Sequence, residues 1–362
     1  MHLLAARPGS ISDGSSAVDL GQAPGDIVVL SAADTELACL AAAQARRGPD
    51  APSLRLASLL QLGHNLSVDL YLDKVVRQAR IVVLRLLGGV RYWAYGAEQL
   101  AALCRDGGIA FAALPGDDQP DAELMALSTL PPDAVNRLWR YCTEGGIENA
   151  AHLLRFAASL IGAPAAWREP MPLLRAGLYW PGLELPGYED VAERWRPSRP
   201  AAMLVFYRAL LQAGNLRVID SLIAALDAAG LNPLPIHVSS LKEPAAADLV
   251  AGLIERARPS VILNATGFAL STPGAERRAT PFEGADAPVL QVVFAGGSEA
   301  DWRNGSQGLS ARDLAMQVAL PEVDGRILSR AVSFKAEARR DPATQCPILS
   351  YQPVADRVDF VA

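Results

Sequence analysis

Lysine is nearly missing from this chain. Of its 33 basic residues only Lys74, Lys242 and Lys335 are lysine, and the rest are arginine. A GC-rich coding sequence gives such a bias. The planar arginine fork also suits carboxylate-rich ligands. Acidic residues number 39, so the net charge is −6, which speaks against a sequence-independent nucleic-acid binder with its basic face. Cysteine is scarce: Cys39, Cys104, Cys142 and Cys346 lie far apart without a C-x-x-C, which excludes a disulfide framework. The four histidines, His2, His64, His152 and His237, have no metal-ligand spacing, so no metal site is expected. Long apolar runs are lacking too. The longest stretch free of charge, 259–275, holds Asn264, Thr266, Ser271 and two prolines, and does not read as a membrane span. The first residues lack the apolar core of a signal peptide, and a cytoplasmic location is the expectation. Missing motifs include G-x-x-x-x-G-K-[ST], G-x-G-x-x-G, H-E-x-x-H and G-x-S-x-G. ATP or zinc chemistry carried by this chain itself is therefore not expected.

What is present is apolar material for real cores, at 51% of 362 residues, with 29 glycines and 26 prolines, too few for a disordered chain. At roughly 150 residues per domain, two or three domains are expected. In the first third, short apolar runs at 27–30, 54–62, 81–84 and 109–114 alternate with helical patterns at 35–47, 67–80 and 98–105. Ser67 reads as the N-cap of the second helix. Strand–helix alternation of this kind implies a parallel sheet covered on both faces. Residues 121–166 then read as a helical insertion, and 167–200, rich in Pro, Trp and Arg, as a linker. A second α/β pattern follows, with strands expected at 203–207, 234–238, 261–263, 288–294, 332–335 and 348–351. Ser310 caps a helix that Pro321 is expected to stop. The fold class is α/β: two doubly wound, Rossmann- or flavodoxin-like parallel-sheet units, over 1–120 and 201–362, with a helical insertion.

Polar clusters fall just after the expected strands, where open α/β sheets present their ligands. They are His64 with its neighbours, Arg208 and Asn215, Ser239-Ser240-Leu241-Lys242, and Asn264-Ala265-Thr266. Arg208 and Lys242 offer charge for carboxylates, and the Ser, Asn and Thr side chains offer neutral hydrogen bonds. The same residues could equally cap turns. Glu322, Asp324 and Arg326 follow Pro321, so the carboxylates are candidate bases or partners of Arg326.

The segment GLSARDLAMQVALPEVDGRILSRAVSFK (308–335) resembles the CobN/magnesium chelatase large-subunit family. So do HNLSVDLYLDKVV (64–76), VVLRLLGGVRYWAYG (82–96), EGGIENAAHLL (144–154), GLYWPG (177–182), LNPLPIHVSSLKEP (231–244) and LNATGFA (263–269). The resemblance is to the N-terminal portion of such subunits, which are several times longer. It implies that the second domain continues past this segment and that the segment alone is inactive. It also implies insertion of Co2+, a substrate, into the corrin hydrogenobyrinate a,c-diamide during cobalamin synthesis. ATP would be hydrolysed by AAA+ motor partners of the CobS and CobT type and not bound here. Rim-binding roles are expected for Arg208, Asn215, Ser239, Ser240, Lys242, Asn264, Thr266 and Arg326. Glu322, Asp324 and His64 are the candidates for proton removal. The residues alone also allow a non-catalytic α/β module that binds an anionic small molecule.

Overall fold

A computed structural model describes residues 16–272, 279–306, 308–335 and 339–362, folded as two compact units. The first unit is built on strands β1 (Ile27–Ser31), β2 (Leu54–Ser58), β3 (Ile81–Leu86) and β4 (Ala110–Pro115). Their order is β2-β1-β3-β4 and every pairing is parallel. The run expected at 54–62 thus ends early, and Leu59–Gln61 form a 3₁₀ turn. Alternate side chains feed two separate cores. Ile27, Val29, Ile81 and Val83 pack on one face, and Val28, Leu30, Val82 and Leu84 on the other.

Helices α1 (Asp34–Ala45), α2 (Asn65–Lys74) and α3 (Ala94–Gly107) connect these strands. Helix α2 starts two residues ahead of Ser67. The cap is His64, whose Nδ1 accepts the Leu66 amide at 3.1 Å. Ser67 is buried, and its hydroxyl instead accepts the Val18 amide at 2.7 Å. The helical stretch holds α4 (Ala122–Met125), α5 (Pro132–Glu144) and α6 (Ile147–Leu160). It is part of the first unit, because Leu138, Tyr141, Leu154 and Phe156 join the same core as Ile27 and Val83. Gly145 and Gly146, at φ +70° and +88°, make the turn between α5 and α6.

The second unit adds β5 (Ala176–Leu178), β6 (Ala201–Tyr207), β7 (Asn232–Val238), β8 (Val261–Asn264), β9 (Val289–Ala295) and β10 (Ile327–Lys335). After the short pair β11 (Arg339–Arg340) and β12 (Pro347–Ile348) comes β13 (Tyr351–Pro353). The sheet order is β13-β10-β9-β8-β6-β7-β5, with a parallel centre and antiparallel β5 and β13 at its edges.

The two compact units divide the chain at other places than the expected domains. Residues 174–200 belong to the second unit: β5 pairs with β7, and Tyr179 and Val191 are buried. Residues 339–349 return to the first unit, where the Leu56 amide donates to Thr344 O at 3.3 Å and Arg55 to Ala343 O at 3.1 Å. That turn covers β2, an edge strand that would otherwise expose unpaired backbone. The helix begun at Ser310 also runs through Pro321. It widens into a π-helical turn over Leu314–Ala319 and ends in Leu320–Val323. Proline has no N–H for the usual helical bond, and a wide turn ahead of it accommodates that loss.

Candidate functional site

Each of the two larger sheets has one point where its strand order reverses, and open α/β sheets bind ligands outside the strand C-termini at such points. In the first unit it lies between β1 and β3. There Arg85, itself buried, donates from Nε to Glu36 Oε1 at 2.7 Å and from a terminal nitrogen to Gly116 O at 3.1 Å. Its other terminal nitrogen bonds Pro115 O, and Ser31 donates to Glu36 Oε2 at 2.6 Å. Burial disfavours the Arg85 charge, but adjacent Glu36 more than restores it, so the pKa is raised. This switch point is filled by its own ion pair. The signal was legible as an arginine inside the apolar run Ile81–Leu86.

In the second unit the reversal lies between β6 and β8, flanking the ends Tyr207 and Asn264. Strands β6, β7 and β8 are parallel, so Arg208, Ser239 and Asn264 come from the same edge of the sheet. Arg208 is half-buried and donates from Nε to Leu174 O at 3.0 Å. Ser239 donates its hydroxyl to Arg175 O at 2.9 Å, and Ser240 accepts the Lys242 amide at 3.1 Å. The Lys242 side chain is exposed. Asn215 is half-buried and accepts the Tyr351 amide at 3.2 Å.

Behind that edge sits a buried polar network. Asn264 donates to Gln291 Oε1 at 2.8 Å and to Thr266 O at 3.0 Å, and Thr266 Oγ1 donates back to Asn264 at 2.9 Å. Gln291 donates to Thr266 O at 3.0 Å, and Arg326 reaches the same oxygen at 3.2 Å. Arg326 pairs with Asp324 at 3.0 Å, the two side chains being 2% and 0% exposed. Asp324 also accepts the Leu270 and Ser271 amides at 2.7 and 3.0 Å. Tyr207 donates to Gly267 O at 2.9 Å, and the Phe268 amide donates to Met316 O, in the π-helical turn, at 2.7 Å. Loop 265–271 is thus held from several sides by side chains and backbone of other elements.

Arg326 is buried, and its bonded donors all point at Asp324, Thr266 and Gln291. Burial lowers the Arg326 pKa, while Asp324 opposes that shift. Both Asp324 oxygens accept donors, Oδ1 from Ser271 and Oδ2 from Leu270 and Arg326. Glu322 lies exposed in the last helical turn, and His64 caps α2 in the first unit. Burial pushes the Tyr207 hydroxyl up to about 12, with Arg326 opposing. Burial, aided by the charge on Arg208, pushes His237 down to about 4. His237 lies across from Gly177, where a Cβ would come within 3.0 Å of its Nε2.

Gln291, the frame that holds the loop around Gly267, and the π-helical carbonyl of Met316 were not singled out by the sequence pattern. A glutamine inside the apolar strand Val289–Ala295 was a readable sign of the first. Among the described residues no group of three or more His, Cys, Asp or Glu could hold a metal ion, and no helix is long and apolar enough to cross a membrane.

The chain is similar to known proteins over its whole length. A family model described as CobN/Magnesium Chelatase matches residues 139–362. The aerobic cobaltochelatase subunit CobN of Sinorhizobium sp is 47% identical, with 100% of this chain aligned to 29% of that protein. Its counterpart from Pseudomonas aeruginosa is 44% identical, again over 100% of this chain and 29% of the relative. The catalytic subunit of cobaltochelatase from Mycobacterium tuberculosis has a similar structure, with a TM-score of 0.70 and 27% identity over 92% of this chain and 26% of that one. The chain therefore spans about three tenths of the length of these curated relatives. On this match and this fold, the chain belongs to the CobN/magnesium chelatase family.

Proposed function

We propose that this chain is the corrin-holding segment of a cobaltochelatase large subunit, binding hydrogenobyrinate a,c-diamide for Co2+ insertion. The observation that carries this reading is the alignment of the whole chain with a cobaltochelatase subunit at 47% identity. The second switch point supports it: cationic Arg208 and Lys242, with the hydroxyl-bearing Ser239 and Ser240, follow the parallel strands β6 and β7 in a chain of net charge −6. Such groups suit a macrocycle whose rim carries carboxylates and amides. Metal insertion also needs the ring bent and its inner N–H protons removed. Asp324 is committed to Arg326, and Glu322 keeps an exposed carboxylate. ATP hydrolysis belongs, in this reading, to AAA+ partners of the CobS and CobT type, in keeping with the missing phosphate loop. The cytoplasm, where thiols stay reduced, suits four free cysteines.

The test is the visible spectrum of the corrin. The 362-residue chain should bind it and shift its bands. The same chain with ATP and Co2+ should not convert it to the cobalt form unless motor subunits are added. A corrin spectrum unchanged by excess chain overturns the reading of corrin binding. Conversion by the chain alone overturns the division of labour.

A further inference from the structure

The peptide joining Thr266 to Gly267 is unusual in how its two polar ends are served. Its carbonyl accepts three donors: Asn264 Nδ2 and Gln291 Nε2, each at 3.0 Å, and the Arg326 guanidinium at 3.2 Å. Its N–H has no acceptor among the described residues. A trans peptide points its C=O and N–H in opposite directions. The carbonyl faces the buried network, so the Gly267 N–H faces away from it. Gly267 is half-buried, at the switch point where β8 has just ended. Hydrogen bonds strengthen one another along a chain, and a charged donor does so most. Three donors pulling on Thr266 O, one of them cationic, therefore make the Gly267 N–H a stronger donor.

The loop is also held still. Tyr207 fixes Gly267 O, Met316 O takes the Phe268 amide, and Asp324 takes the amides of Leu270 and Ser271. Phe268 sits at φ +63°, a left-handed turn of the backbone directly after Gly267. The buried Ala269 amide likewise has no acceptor among the described residues. Position 267 has no room for a side chain, since a Cβ there would come within 2.9 Å of Met316 O. Glycine is what lets the π-helical turn approach the loop this closely.

We propose that the polarised Gly267 amide is a carboxylate-binding site, accepting one rim carboxylate of the ligand by backbone hydrogen bonding. Asn264, Gln291 and Arg326 act behind it as positioning residues. The identity of the ligand as a corrin rests on the reading above; the carboxylate site itself does not.

The test uses the unmodified chain. Thr266-Gly267 is the only Thr-Gly pair in the sequence. Labelling threonine carbonyls with 13C and glycine with 15N therefore isolates its single amide resonance. Two probes are titrated separately: hydrogenobyrinate a,c-diamide, with its visible spectrum followed in parallel, and citrate as a simple polycarboxylate. A saturable downfield shift of the Gly267 proton with either probe is the expected result. A shift with citrate but no corrin binding keeps the carboxylate site and removes the corrin reading. Corrin binding seen in the visible spectrum with an unmoved Gly267 proton overturns the site and leaves the corrin reading intact. No shift with either probe also overturns the site.

Discussion

Asp324→Ala is the substitution that loads the second unit most heavily. It removes the partner of Arg326, a guanidinium 2% exposed, and the acceptor of two backbone amides, Leu270 and Ser271. Removing one member of a buried ion pair costs about 3–5 kcal/mol, because the other charge stays buried without compensation. The buried amides lie inside that figure, since the loop can turn toward water once released. The Arg326 Nε is already buried without a partner, so the guanidinium has little slack for repair. The double variant Asp324→Leu with Arg326→Met removes both charges and should recover most of the loss, as replacing a whole buried pair by apolar groups is often near neutral. In a chain of two compact units a single two-state fit is unsuitable. Hydrogen exchange along a urea series, read on peptides from β8 and β9 against β1 and β3, reports each unit by itself. A loss below about 1 kcal/mol in β8 and β9 for Asp324→Ala would refute the reasoning, since that is the worth of a single exposed pair. So would a double variant no more stable than the single one.

Further outcomes follow from the same physics. Arg85→Met should destabilise the first unit by about 3–5 kcal/mol by orphaning Glu36, read by exchange on β1 and β3; an unchanged first unit contradicts the buried pair. Gly116→Ala places a Cβ 2.5 Å from the Leu87 backbone nitrogen, and should cost about 1–3 kcal/mol as forced overpacking, seen as a lowered urea midpoint. His237 titrates near 4 in the folded chain because it is buried. The unfolded chain therefore binds the extra proton between the ordinary pKa near 6.5 and that value. Stability of the second unit should fall as pH drops through this window, by up to about 1.4 kcal/mol per unit, and a His237→Gln variant should lose that slope.

Much of this architecture was legible along the chain. Runs such as Ile27–Ser31 and Ile81–Leu86 announce buried parallel strands, because nothing but sheet burial on both faces suits them. The edge strand Ala176–Leu178 is only three residues with a central glycine, and gains its strand character from pairing with β7. Residues 339–349 join the first unit through bonds to Arg55 and Leu56, a partnership nearly 300 residues away that no local pattern carries. The candidate edge was foreseen in its strand-end residues Arg208, Ser239 and Asn264, because strand C-termini were read from the apolar runs. The burial of Arg326 was not legible, because its partners Thr266 and Gln291 lie 60 and 35 residues away. Gly267 was passed over because its chemistry is that of the backbone, and its importance comes from three donors converging on the preceding carbonyl.

The most direct test of the account is a corrin titration of the wild-type chain beside Arg208→Ala and Lys242→Ala, each paired with a thermal melt. Losing a charge-assisted contact to a rim carboxylate should weaken binding tenfold or more, about 1.4 kcal/mol per decade. The account predicts that loss in both variants with melting temperatures close to wild type. Unchanged affinity in both, with clearly lowered melting temperatures, would contradict it and make this edge of the sheet a scaffold.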